Sequence, residues 1–293
     1  MFKGSIVAIV TPFTNGKVDE AKLKALVEFQ IKSGTNGIVP CGTTGESPTL
    51  SHEEHNHVIQ VCIDTARGRV PIIAGTGSNS TAEAVDLTKF AAQAGANGAL
   101  VVTPYYNRPT QEGIYRHFKA VSECSHLPII LYNIAGRTGQ NIETDTVARL
   151  AKDCKNIIGV KEASGSLDQM QAVKRACPKD FVLLSGDDSL TLPVLSIGGA
   201  GVISVAANIV PHDIVTLIDA FNVGKIQDAQ KIHYKLLPLI KALFIETNPI
   251  PLKEAMGMLN LCSCEMRLPM CPMSDANRAK LKTALQEYGL LKG

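Results

Sequence analysis

No stretch of the chain stays apolar for the roughly 20 residues that a membrane-spanning helix requires. The run Ser5-Ile6-Val7-Ala8-Ile9-Val10 stops before Thr11-Pro12. It is too short for the core of a secretory signal, and no small-residue cleavage site follows it. Charge of one sign is scarce as well. The 29 Lys and Arg residues nearly balance the 27 Asp and Glu, for a net of +2, which speaks against a nucleic-acid partner. Among eight cysteines there is no Cys-x-x-Cys pair. Cys262, Cys264 and Cys271 form the one cluster, and no histidine accompanies them, so no zinc ligand set is expected. Other cysteines sit in apolar segments such as Val61-Cys62-Ile63, the pattern of reduced thiols in a cytoplasm.

Several motifs lack one residue each. Gly42-Thr43-Thr44-Gly45-Glu46-Ser47 has no P-loop lysine, and Gly75-Thr76-Gly77-Ser78-Asn79-Ser80 has no third glycine of a dinucleotide fingerprint. His52 and His55 stand three apart, whereas a zincin helix needs its two histidines four apart. The stretch therefore reads as a capped, solvated helix start, with contact to a ligand as the other reading.

What the chain does have is a repeat. With 45% apolar and 19% charged residues it is an ordinary globular sequence, and 293 residues suffice for one large core or two domains. Strand patterns recur at Ser5 to Val10, Gly37 to Cys41, Val70 to Ala74, Ala99 to Val102, Pro128 to Tyr132, Ile157 to Lys161, Phe181 to Ser185 and Gly201 to Val205. Helical patterns separate them, with Asp19 and Ser51 as N-caps and another helix running from about Ser80 to Gln93. Two of the helix-to-strand turns resemble each other: Ser33-Gly34-Thr35-Asn36-Gly37-Ile38 and Ala94-Gly95-Ala96-Asn97-Gly98-Ala99. Eight near-equal strand–helix units predict a (β/α)8 TIM barrel rather than an open sheet. After Gly201 to Val205 the pattern turns helical, at Ile226 to Ile245, Pro251 to Leu259 and Asp275 to Tyr288. The expected division is a barrel over 1–224 and a C-terminal helical subdomain over 225–293.

A barrel places its chemistry at the carboxyl ends of its strands. Those ends carry Thr43-Thr44, Tyr105-Tyr106, Tyr132-Asn133, Lys161-Glu162 and Gly186. Lys161 closes an apolar strand and must point somewhere dry. A lysine amine in water has a pKa of about 10.4, so only roughly one in 2,500 is neutral at pH 7. Full burial of such an amine would lower that value by about three units and leave a substantial fraction nucleophilic. The functional reading is a Schiff-base lysine that attacks a ketone; the structural one is a strand-end lysine whose head reaches solvent. The period of two puts Ile157, Gly159 and Lys161 on one face, with Gly159 leaving space for the stem. Hydroxyls nearby can relay protons or hold an oxyanion, and Arg137 is suited to a carboxylate, although a single arginine taken alone reads first as a surface residue. Phosphate recognition is not expected, because strand seven ends in Asp187-Asp188.

These residues resemble the dihydrodipicolinate synthase family of pyruvate-dependent class I aldolases. The resemblance spans the whole chain and rests on Gly42-Thr43-Thr44-Gly45-Glu46, Thr103-Pro104-Tyr105-Tyr106, Tyr132-Asn133 with Arg137-Thr138, Val160-Lys161-Glu162-Ala163 and Asn248-Pro249-Ile250-Pro251. It implies condensation of pyruvate with L-aspartate 4-semialdehyde, on the route to lysine, without metal or organic cofactor. It also implies a homotetramer built as a dimer of dimers. Lys161 would form the imine and Tyr132 would carry the proton. Thr44 would link Tyr132 to Tyr106, which reaches in from a neighbouring subunit. Thr43 and Thr44 would hold the pyruvate carboxylate, Ile203 and Gly186 would line the site, and Arg137 would receive the second carboxylate. Ser47, Pro48, His52, His55, Asn79, Glu83 and Tyr105 match the family's site for feedback by L-lysine. The chain departs from the family at Ala135 and Thr247, where proline is usual or frequent. A sugar-acid aldolase or an N-acetylneuraminate lyase-like enzyme is the alternative within the chemistry; the absence of an arginine at the Arg137 position in those lyases favours the synthase. A barrel that only binds an effector is the alternative outside it.

Overall fold

The computed structural model describes residues 2–292. Eight parallel strands form its sheet: β1 Gly4–Ala8, β2 Gly37–Val39, β3 Ile73–Gly75, β4 Gly98–Val102, β5 Ile129–Asn133, β6 Ile157–Glu162, β7 Val182–Ser185 and β8 Gly201–Ser204. β1 pairs with both β2 and β8, and the ladder runs on through β7, β6, β5 and β4 to β3. A parallel bridge from Ile38 to Ile72 closes the circle. β3 begins later than its apolar run suggests, since Pro71 has no N–H for the ladder and offers only its carbonyl, to Ile38 N at 3.0 Å. The expected (β/α)8 barrel is therefore the fold.

Helices cover the strands: α1 Glu20–Lys32, α2 His52–Ala66, α3 Thr81–Ala94, α4 Gln111–Glu123, α5 Thr144–Asp153, α6 Leu167–Ala176, α7 Thr191–Ser196 and α8 Pro211–Asn222. The caps follow the sequence. Asp19 accepts from Lys22 N, and Ser51 and Glu54 form a reciprocal capping box. Alternation along each strand separates two cores. Ile6, Ala8, Leu100, Ile130, Leu184 and Ile203 fill the barrel, while Val7, Val101, Leu131, Leu183 and Val202 face the helices. The two similar turns also act alike. Asn36 Oδ1 accepts from Ser5 N at 2.8 Å, and Asn97 Oδ1 from Ile72 N at 2.9 Å. Each asparagine clamps the strand next to its own.

Beyond the barrel lie α9 Ile226–Leu243, α10 Ile250–Met258 and α11 Asp275–Tyr288. Leu236, Leu239, Leu243, Leu252, Leu281 and Leu285 join the same apolar cluster as the outer faces of the strands. No described helix is long and apolar enough to cross a membrane.

Candidate active site

Lys161 stands at the carboxyl end of β6, 5% exposed. The face it occupies differs from the one the strand period suggests. Ile129 pairs with Ile157 but Ile130 pairs with Gly159, so Ile158 is an inserted residue. This bulge turns Ile157 outward beside Val160, and Ile157 does not share the lysine's face. Gly159 is not what makes room for the lysine either. A Cβ there would meet Val182 at 2.6 to 2.7 Å, whereas a Cβ on Gly186 would come within 3.1 Å of Lys161 Cε. The space for the stem is therefore the missing side chain of Gly186, one strand over.

The amine lies 4.1 Å from the centre of the Tyr132 ring. Tyr132 is paired directly with Lys161 in the β5–β6 ladder, so neighbouring strand ends hold the two together. A cavity of about 50 Å³ takes in Lys161, Tyr132, Thr43, Thr44, Gly186 and Arg137. Ile203 is fully buried in the barrel below. Arg137 rides on the short helix Ala135–Thr138, exposed at the mouth, with Nη2 bonded to the carbonyl of Asn248 at 2.9 Å. The side-chain amide of Asn248 donates to Thr44 Oγ1 at 3.0 Å. Asn248 belongs to a motif noted in the sequence, but no site role was expected for it. Its signal is spatial, because its partners lie 111 and 204 residues away.

Tyr106 is 89% exposed on a left-handed backbone, φ 71°. It lines neither this cavity nor the larger one beside it. That larger cavity, about 330 Å³, takes in Ser47, Pro48, His52, His55, Glu83 and Tyr105, and it shares Thr43, Tyr132 and Arg137 with the smaller one. Asn79 is not on its wall; its carbonyl accepts from Asn107 Nδ2 at 2.8 Å. The Ser78 hydroxyl and His52, at 2.5 Å, both engage Glu83 and hold its carboxyl below the usual range. His52 is exposed, but His55 is buried, and burial lowers it to about 4. A solvated helix start therefore describes His52 and not His55.

Two buried acids support the strand ends. Glu162 accepts from Asn133 Nδ2 at 3.0 and 3.1 Å, from Gln169 Nε2 at 2.9 Å and from Ser164 N at 2.8 Å. Asp188 accepts from Val205 N at 2.9 Å, Ala206 N at 3.1 Å and the Ser204 hydroxyl, and burial raises its carboxyl. These are the amides after β8 that a barrel turns toward a phosphate. Here a side chain of the protein occupies them.

A buried amine at the end of the sixth strand is the arrangement that a lyase working through a Schiff base requires. The chain belongs to the dihydrodipicolinate synthetase family, whose sequence model matches residues 1–288. It is 59% identical over 292 residues to the 4-hydroxy-tetrahydrodipicolinate synthase of Endomicrobium trichonymphae, covering 100% of both chains. The solved dihydrodipicolinate synthase of Aquifex aeolicus matches with a TM-score of 0.98 and 50% identity over 100% of both chains. That of Cyanidioschyzon merolae, solved with lysine bound, matches at 0.96 and 42% identity over 99% of both.

Proposed function

We propose that the chain condenses pyruvate with L-aspartate 4-semialdehyde through an imine on Lys161. The observation that carries this reading is the buried Lys161 amine beside Tyr132, in one cavity with Thr43, Thr44 and Arg137. The amine adds to the ketone of pyruvate and water leaves. Loss of a methyl proton gives an enamine, whose carbon attacks the aldehyde. The amino group of the second substrate then adds to the imine carbon, closes the ring and releases Lys161. Tyr132 carries the protons, relayed through Thr44 and Tyr106. Thr43 and Thr44 hold the pyruvate carboxylate over Ile203 and beside Gly186, and Arg137 grips the carboxylate of the aldehyde. Pyruvate with borohydride should leave a reduced adduct on Lys161, and Lys161→Ala should abolish both trapping and turnover. An adduct on any other lysine overturns the mechanism, and a panel of sugar-acid aldehydes tests the aldolase alternative.

The assembly is read as a homotetramer, a dimer of dimers, in which Tyr106 completes the site of a neighbouring copy. A tyrosine held open on a left-handed backbone is consistent with that use. Residues 225–293 are read as a helical subdomain that brings Asn248 to the site. The compartment is read as cytoplasmic, in keeping with eight free cysteines.

L-lysine is read as a feedback inhibitor that binds in the larger cavity. Glu83 offers an ionised carboxylate to an ammonium group, and Ser47, Pro48, His52 and His55 form the adjoining wall. Tyr105 on the wall and Asn79, next in the chain to the wall residue Ser78, offer donors to a carboxylate. The shared wall at Thr43, Tyr132 and Arg137 gives the coupling a physical route. Millimolar L-lysine should slow the coupled assay, and Glu83→Ala should relieve it. Equal inhibition of the variant removes this site from the account.

A further inference from the structure

We infer that Asn248 reads the amino group of the second substrate, a role that rests on the function proposed above. Asn248 sits in the turn between α9 and α10, is almost fully buried, and lines the cavity of Lys161. Two of its polar groups are already engaged. Its Nδ2 donates to Thr44 Oγ1 at 3.0 Å, and its main-chain carbonyl accepts from Arg137 Nη2 at 2.9 Å. Its Oδ1 is buried with no hydrogen-bond partner. Among the described residues on the wall of this cavity, it is the only buried side-chain polar atom left so. A buried acceptor without a donor is unfavourable and calls for an occupant.

The substrate supplies one. It carries a carboxylate, an aldehyde and an amino group that is protonated in water. Arg137 is suited to the carboxylate and the Lys161 enamine to the aldehyde, so the ammonium needs an acceptor within the same small volume. Because Asn248 holds Arg137 through its carbonyl, its Oδ1 is fixed relative to the group that grips the carboxylate. One residue thereby sets the spacing between the two ends of an α-amino acid. It also keeps the nitrogen that must close the ring beside the imine carbon. A site built to hydrogen-bond a substrate N–H discriminates against an analogue that lacks it.

The test compares two aldehydes in the intact enzyme. One is L-aspartate 4-semialdehyde, read as kcat/KM. The other is succinic semialdehyde, which lacks the amino group, read as a competitive inhibition constant. Asn248→Leu removes the acceptor and also the bond to Thr44, so binding of both aldehydes weakens. For the amino aldehyde the loss should exceed that of its analogue by about 10- to 100-fold, the worth of a buried hydrogen bond to a charged group. Asn248→Asp keeps an acceptor in place and should hold or raise the preference. Borohydride trapping of pyruvate on Lys161 reports whether each variant has an intact site. Equal losses for both aldehydes in Asn248→Leu overturn the assignment. A lost preference in Asn248→Asp overturns it too, and decides the matter where the leucine variant does not fold. Should the unmutated enzyme trap pyruvate yet consume no L-aspartate 4-semialdehyde, the choice of aldehyde fails before any variant is made, and this role fails with it.

Discussion

Lys161 and Lys253 are both buried lysines, and their surroundings give them different roles. Lys253 Nζ donates to Glu46 Oε1 at 2.5 Å, to Thr11 O at 2.9 Å and to Glu265 O at 2.7 Å. All three of its protons are engaged, as befits a structural cation. Lys161 instead faces a ring and an open cavity, with Gly186 giving its stem room. Arg137 is the residue whose function can be separated most cleanly from structure. If it grips the aldehyde's carboxylate, Arg137→Ala should cost the aldehyde step on the order of 2–5 kcal/mol. Trapping of pyruvate on Lys161 should persist. Single-turnover kinetics with each substrate in turn distinguish the steps, and equal damage to both means that Arg137 acts by holding the Asn248 carbonyl. The roles of Lys161, Tyr132 and Arg137 were assigned only through the family resemblance. The positions of Lys161 and Tyr132 were legible in the sequence because strand ends are predictable places, and that of Arg137 because it follows one closely. Asn248 was not, since nothing local to Asn248-Pro249 encodes a hydroxyl 204 residues away.

At the scale of elements, strand order and helix caps followed from apolar period and capping chemistry, but the register of β6 did not. A bulge at Ile158 adds one residue, and a count of two from Lys161 then puts Ile157 on the wrong face. Local sequence does not mark such an insertion, because Ile157 and Ile158 are equally apolar. The C-terminal segment is tied to the loop after β2 by charge. Lys253 holds Glu46, and Arg267 donates to both Glu54 oxygens, at 2.5 and 2.6 Å, and to Thr49 O at 2.8 Å. That loop carries Thr43 and Thr44 on one side and Ser47 and Pro48 on the other, so the clamp stiffens both cavities. Lys253→Met leaves the buried Glu46 carboxylate without its ammonium partner, held only by the Arg267 main-chain N–H at 3.1 Å, and should cost about 3–5 kcal/mol in urea unfolding. Adding Glu46→Gln removes that charge and should restore a good part of the loss. A single-variant cost below about 1 kcal/mol would show that water reaches the pair.

For the whole molecule, acid sensitivity follows from histidines that fold in the neutral state. Burial lowers His55 and His117 from 6.5 to about 4 each, and lowers His233 as well. Well above pH 6.5 these rings are neutral both folded and unfolded, and they cost nothing. As pH falls below 6.5 the unfolded chain takes up protons that the native protein refuses, so stability drops; the loss levels off only below about pH 4. At pH 5 each of the two rings held near 4 removes about 2 kcal/mol relative to pH 7. The carboxylates held low act in the same direction but further down. Glu54, brought to about 2 by the Arg267 hydrogen bonds, contributes stability that is present above its ordinary range and fades as pH falls toward 2. The interval from pH 7 to pH 5 lies above these low carboxylates, and a histidine variant separates the rings' share from that of buried Asp188, whose raised carboxyl acts in the opposite direction. Urea unfolding at the two pH values should show the drop, and His117→Leu should reduce the difference by about 2 kcal/mol whatever the substitution does to packing at pH 7. An unchanged pH dependence in that variant would mean that His117 is protonated in the native state, with water or a partner chain at its unpaired Nε2.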